Sequence, residues 1–227
     1  SIGTDTALNN AVVALDSIKL SAAASHRCFV AEVMGRKCGY LSLMSGLATG
    51  AEKVYLNEEG ITLAGLAADS ERMVESFRSG RSLYLVIRNE RASVNYTTDV
   101  LAHIFAEEGK GLYDVREAIL GHQQQGGSPT AFDRIMATKL VAHSLELLAC
   151  ALKRGEPTAS YVGLVRGKVS DHPLDRMNDD LDRDNRRPRH QWWLGLRPAV
   201  GLVSQDVGTL TLQDVPDFGE AVDDAAS

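Results

Sequence analysis

Cysteine is scarce in this chain. Its 227 residues hold three, Cys28, Cys38 and Cys150, an odd number with no CxxC spacing. A disulfide frame is thereby excluded, and the thiols read as reduced ones in a reducing compartment. No signal peptide and no run of ~20 apolar residues is visible, which makes a cytoplasmic protein the default and argues against a membrane partner. Basic charge is short as well. The net charge is −6, and no basic stripe stands out beyond residues 183–189, so a general nucleic-acid partner is excluded. Calcium is rejected too. Asp180, Asp182 and Asp184 alternate like the opening of an EF-hand loop, but Asn185 stands at the turn glycine and Gln191 at the bidentate glutamate. Residues 170–190 read as a solvated loop and no metal site is expected.

What is present is enough apolar material for a substantial core, 44% of the residues. Leu8, Val12, Leu15 and Ile18 repeat at helical spacing, with Thr4 or Asp5 as cap. Residues 28–34 are mostly apolar, as a buried parallel strand should be. Tyr40, Leu43, Met44 and Leu47 mark a helix closed by Gly50. A short strand at 54–56, a helix over 63–77, a strand at 83–87 and a helix capped by Thr97 follow. A strand before Gly121, a helix from Pro129 to about Arg154 and a strand at 161–165 complete the alternation. The pattern predicts an α/β fold: a mostly parallel sheet with helices on both faces, in three layers.

Gly121-His122-Gln123-Gln124-Gln125-Gly126-Gly127-Ser128-Pro129, followed by Asp133-Arg134, carries the most information. An apolar strand ends in glycine, a histidine and three amides, then two glycines and a Ser-Pro helix start. Ser128 reads as the N-cap and Pro129 as the first helical residue. By pattern alone the stretch is either a Gly-rich turn holding a surface loop or a strand-loop-helix crossing that binds an anion.

The wording of that stretch resembles the phosphofructokinase family, in which a strand runs into Gly-His-x-Gln-(Arg or Gln)-Gly-Gly-x-Pro and then Asp-Arg. Further segments agree in the family's order: Ile2 to Leu8, Ser25-His26-Arg27 with Glu32 to Leu41, Leu85 to Glu90, Asn95 to Asp99, and Gln191-Trp192-Trp193-Leu194. The resemblance covers roughly residues 1–200. It implies a phosphofructokinase-type fold whose N-terminal nucleotide lobe is largely missing, because no Gly-Gly-Asp phosphate loop and no Asp-Asn-Asp element occurs in the chain. The implied organisation is a sugar-phosphate lobe at 1–120, a segment returning to the nucleotide lobe at 121–170, a loop and Trp-Trp segment at 171–204, and an acidic, mobile tail at 205–227. The helix from Pro129 is then expected to pack on strands outside this chain.

Residue by residue, the resemblance carries over Arg27, Met34, Gly35, Glu90, Arg116, His122, Gln123, Gln124, Gln125 and Arg186 as a pocket for fructose 6-phosphate or fructose 2,6-bisphosphate. Arg36 joins them as a further cation. No catalytic residue is expected in this segment. Taken singly, each has a plainer reading: an arginine at a strand end pairs with a carboxylate, Met34 packs in the core, and Glu90 meets a nearby cation. The chemistry nevertheless suits a sugar phosphate, since guanidinium binds phosphate bidentately and stays charged.

Animal and fungal members of the family have two homologous halves, one catalytic and one regulatory. The catalytic pattern is His-x-Gln-Arg, and Gln125 stands at that arginine, as in halves that bind fructose 2,6-bisphosphate. Arg36 departs from the Met-Gly-Gly of regulatory halves and points the other way. Exchanging arginine for glutamine should weaken phosphate binding roughly ten- to a hundredfold unless other cations compensate. The expected parent is an ATP-dependent 6-phosphofructokinase using MgATP in a homo-oligomer, a tetramer, with this chain as its allosteric half. Two alternatives stand beside it: the sugar-phosphate part of a catalytic half, and a non-catalytic sugar-phosphate-binding module.

Overall fold

In the computed structural model the described residues are 2–22, 25–155, 159–165 and 167–203. The acidic tail expected at 205–227 lies outside them. The first eight elements alternate as the sequence predicts: α1 (Thr4–Ala22), β1 (Arg27–Val33), α2 (Tyr40–Thr49), β2 (Lys53–Tyr55), α3 (Leu63–Arg78), β3 (Leu83–Asn89), α4 (Thr98–Gly109) and β4 (Asp114–Ile119). The strands form one parallel sheet in the order β2-β3-β1-β4. The two central strands, β1 and β3, are apolar almost throughout because both their faces are covered.

Alternation along those strands sorts the core into two layers. Phe29, Ala31, Val33, Leu85 and Ile87 point to one face, where Ala11 and Leu15 of α1 and Leu43 of α2 meet them. Cys28, Val30, Tyr84 and Val86 point to the other, against Leu66, Met73 and Phe77 of α3 and Leu101 and Phe105 of α4. This is the expected three-layer arrangement. Burial pushes the Cys28 thiol well above its ordinary pKa, with Glu52 adding to the rise, so Cys28 serves as a small apolar filler.

Caps differ from the sequence reading in three places. The N–H groups opening α1 are met by Asp133, which accepts from Gly3 N (2.9 Å), Thr6 N (2.8 Å) and Thr6 Oγ1 (2.5 Å). Neither Thr4 nor Asp5 caps this helix, since a carboxylate far along the chain reaches the same donors. Thr97 does occupy the N-cap of α4, but its hydroxyl donates to Asp99 rather than receiving a backbone N–H. The helix expected from Pro129 is α5 (Ala131–Arg154), capped by Thr130, whose hydroxyl accepts from Asp133 N at 3.3 Å. Ser128 and Pro129 precede the helix.

The strand expected at 161–165 does not join the parallel sheet. β5 (Ser160–Val165) pairs antiparallel with β6 (Lys168–Pro173) as a separate hairpin. The solvated loop of 170–190 is more ordered than expected. It contains β6, a short helix α6 (Met177–Asp180), and the strands β7 (Leu181–Asp182) and β8 (Arg187–Pro188) of a second hairpin. The chain then returns to the sheet. Trp193 is buried beside Tyr40, ring centroids 5.9 Å apart and edge-on, and α7 (Ala199–Val203) brings Val200 into the same core.

α5 stands apart from this packing. Val141, Leu145, Leu148 and Leu152 form a stripe at helical spacing, each more than half exposed. Within α5 only Asp133 is buried. By length and composition alone α5 is also long and apolar enough to cross a membrane. Asp133, Arg134, Lys139 and Glu146 interrupt the apolar run along the sequence.

Candidate functional site

The carboxyl ends of β1 and β3 lie side by side, Glu32 opposite Arg88 and Val33 opposite Asn89. Beyond them the backbone turns sharply, and the predicted site residues divide between that place and the rest of the sheet. Glu90 donates its N–H to Val33 O (3.0 Å), which continues the pairing by one residue. Its carboxylate oxygen Oε1 accepts from Gly35 N (3.1 Å) and Arg36 N (2.6 Å). Opposite, the buried amide of Gln124 closes a two-bond clasp on Met34, accepting from Met34 N (3.0 Å) and donating to Met34 O (3.2 Å). Met34 to Arg36 is therefore gripped from both sides.

Gly35 is required by space. A Cβ there would lie 2.4 Å from Cys38 O and 2.9 Å from Asn89 Nδ2. Arg36 follows with φ 52°, the left-handed conformation that few non-glycine residues adopt, and its side chain is exposed. His122, Gln123 and Gln125 are exposed on the 3-10 turn Gly121–Gln125 that leads out of β4. Asn10 of α1 holds that turn by donating to Gln124 O (3.3 Å) and Gly126 O. Glu90 and Arg36 thus stand at the gripped backbone, and His122, Gln123 and Gln125 flank Gln124 on the adjoining turn.

Four predicted residues lie elsewhere or are otherwise engaged. Arg27 begins β1 and Arg116 pairs opposite Phe29, both toward the amino end of the sheet. At ~3.3 Å per residue they are roughly 23 and 16 Å below Met34, so within one chain they do not reach the ligand that Glu90 and Arg36 would touch. Arg27 Nε is buried without a hydrogen-bond partner among the described residues, and Arg116 is exposed with Asp114 3.5 Å away. Gln124 is spent on Met34 and serves as a strut. Arg186 is exposed in the turn between β7 and β8 at φ 54°.

The sequence reading missed the residues that hold this place together. Arg187, next to Arg186, pairs with Glu58 (3.0 Å) and donates to Lys37 O (2.8 Å). Glu58 in turn accepts from Gly39 N (3.0 Å), and the Gln191 amide, suitably turned, donates to Glu58 Oε1 (3.0 Å). Arg88 is buried and binds Glu32 (2.7 Å) together with three backbone carbonyls. A charge inside an apolar strand was the available signal, since such a group must be paired when buried. Among the described residues no three His, Cys, Asp or Glu side chains gather to hold a metal ion.

The family model described as phosphofructokinase matches residues 1–148. The chain is 45% identical over 216 residues to the ATP-dependent 6-phosphofructokinase of Dictyostelium discoideum, covering 94% of this chain and 25% of that protein. It is 39% identical to the muscle-type ATP-dependent 6-phosphofructokinase of Homo sapiens, covering 90% and 28%. Among solved structures, phosphofructokinase from Saccharomyces cerevisiae superposes with a TM-score of 0.84 at 34% identity, over 90% of this chain and 28% of that one. The Pichia pastoris phosphofructokinase in the T-state gives 0.81 at 32%, over 93% and 26%. The chain thus spans about a quarter of the length of the curated relatives it matches.

Proposed function

The chain belongs to the phosphofructokinase family, and we propose that it is the sugar-phosphate-binding portion of the allosteric half of an ATP-dependent 6-phosphofructokinase. The parent transfers the terminal phosphoryl group of ATP to fructose 6-phosphate in glycolysis, in the cytoplasm, as a homo-tetramer. This portion takes fructose 2,6-bisphosphate. The observation that carries the reading is Gln125, a neutral exposed amide beside His122 where the catalytic pattern has arginine. Glu90 Oε1 is engaged by two backbone N–H groups, and its other carboxylate oxygen accepts from sugar hydroxyls. Arg36 and His122 supply donors for phosphate.

Arg27 and Arg116 stand too far down the sheet to serve that pocket in the same chain. The exposed apolar stripe of α5 supports the reading that this helix packs against the nucleotide lobe of the parent. MgATP belongs to that lobe. Binding without turnover is the simplest chemistry for this pocket.

Arg36 favours a second reading, the sugar-phosphate part of a catalytic half, because it keeps the arginine of catalytic halves. Gln125→Arg in the full-length protein separates the two. In an effector half it changes the response to fructose 2,6-bisphosphate and leaves the maximal rate nearly intact, since that pocket acts on the chemistry only through a population shift. Initial-rate curves with and without effector measure this. A lowered Michaelis constant for fructose 6-phosphate without effector, with an unchanged effector response, overturns the allosteric reading.

A further inference from the structure

We propose that Arg88 is a positioning residue for the sugar-phosphate pocket, fixing the Glu90 carboxylate through the loop that carries it; the inference rests on the pocket reading above. Arg88 lies on the face of β3 turned toward α4, since Leu85 and Ile87 occupy the opposite face. Its guanidinium is buried and meets four oxygens: Glu32 Oε2 at 2.7 Å, Ser93 O at 2.6 Å, Tyr96 O at 3.0 Å and Glu90 O at 3.3 Å. The three carbonyls belong to the loop between β3 and α4. The carboxylate comes from the strand next door, in register opposite Arg88. Thr98, the first residue of α4, donates to the same Glu32 oxygen. One planar fork therefore ties together β1, β3, the loop and the start of α4.

Glu90 is the first residue of that loop. Its backbone is fixed on one side by its N–H to Val33 O and on the other by its carbonyl on Arg88. Its carboxylate can then meet Gly35 N and Arg36 N at once. Burial pulls the Arg88 pKa down, against the upward pull of Glu32, yet guanidinium remains a cation at any working pH. Lysine cannot replace it. A single ammonium carries its three donors on one atom and does not span four oxygens arrayed around a fork. Loosening the fork frees the loop, and Glu90 then no longer holds the sugar hydroxyl in place. His122 reaches phosphate from the 3-10 turn, outside this fork, so phosphate binding depends on Arg88 less than sugar-ester binding does, through Arg36 alone.

That separation defines the test, made on the full-length protein by titration calorimetry with fructose 2,6-bisphosphate and, in parallel, inorganic phosphate. Arg88→Lys is expected to weaken the sugar ester about three- to tenfold, the effect of removing one hydrogen bond, and to weaken inorganic phosphate clearly less. Adding Arg88→Lys to Glu90→Gln should then produce no further loss, because both act through one carboxylate. Thr98→Val, which keeps the cation and removes one bond to Glu32, should give a smaller loss of the same kind and carries the test if Arg88→Lys fails to fold. Wild-type ester affinity in the variants, an additive double variant, or an equal loss for inorganic phosphate overturns the inference. A wild-type protein that binds no sugar ester instead overturns the pocket reading beneath it.

Discussion

Asp133 joins the two ends of the family-matched segment, and Asp133→Asn should unfasten them. The carboxylate takes three hydrogen bonds at the start of α1, from Gly3 N, Thr6 N and Thr6 Oγ1. Asparagine keeps the shape but turns one oxygen into a donor that faces a donor. One bond disappears and the others fall from charge-assisted to neutral, a change from about 1.5–3 to ~1 kcal/mol for each. The negative charge at the amino end of α1 contributes about 0.3–1 kcal/mol more. The low end of the sum is about 3 kcal/mol, which at ~2–4 °C per kcal/mol lowers the melting temperature by at least roughly 6–12 °C. Acid gives a second handle. Burial pushes the Asp133 carboxyl up, but hydrogen bonds from Thr6 and Gly3 outweigh it and hold the pKa below the ordinary range. A depressed carboxyl contributes stability that is fully present above its unfolded value, about 4, and is lost as pH falls through the lower folded value. The gap between wild type and variant should therefore be complete at neutral pH and close below about pH 4. Thermal melts of both proteins across that range measure it. A gap under ~1 kcal/mol at neutral pH, or one that acid leaves unchanged, refutes the clasp.

Two further outcomes follow from the turn between β1 and α2. Gly35→Ala forces a Cβ against Cys38 O and Asn89 Nδ2, and overpacking of this kind should destabilise by about 1–3 kcal/mol and weaken sugar-ester binding in the same variant; denaturant titration and calorimetry read the two effects, and wild-type values in both contradict the close approach. Arg36→Gly relieves the φ of 52°, so denaturation should show equal or slightly higher stability, by up to ~1 kcal/mol, while fructose 2,6-bisphosphate affinity falls about tenfold; unchanged affinity removes Arg36 from the pocket.

The sequence determined most of the layered fold. Apolar runs at 28–34 and 83–87, separated by helical repeats, left β1 and β3 no stable place except the middle of a parallel sheet covered on both faces. It also marked Glu90, Gly35, Arg36 and the 121–125 stretch, because charge, glycine and amides stand where strands end. Tertiary structure decided the rest. Periodicity tells which face a side chain takes, but not which end of the sheet it occupies in relation to others, so Arg27 and Arg116 were grouped with residues roughly 16–23 Å away. A polar side chain's partner is likewise set by whatever the fold brings near. Gln124 turned inward to clasp Met34, Arg187 rather than Arg186 reached Glu58, and a carboxylate at position 133 capped a helix that begins at Thr4. The short strand at 160–165 was free to form a hairpin with β6 because its own residues specify extended backbone and leave the choice of neighbour to the rest of the chain.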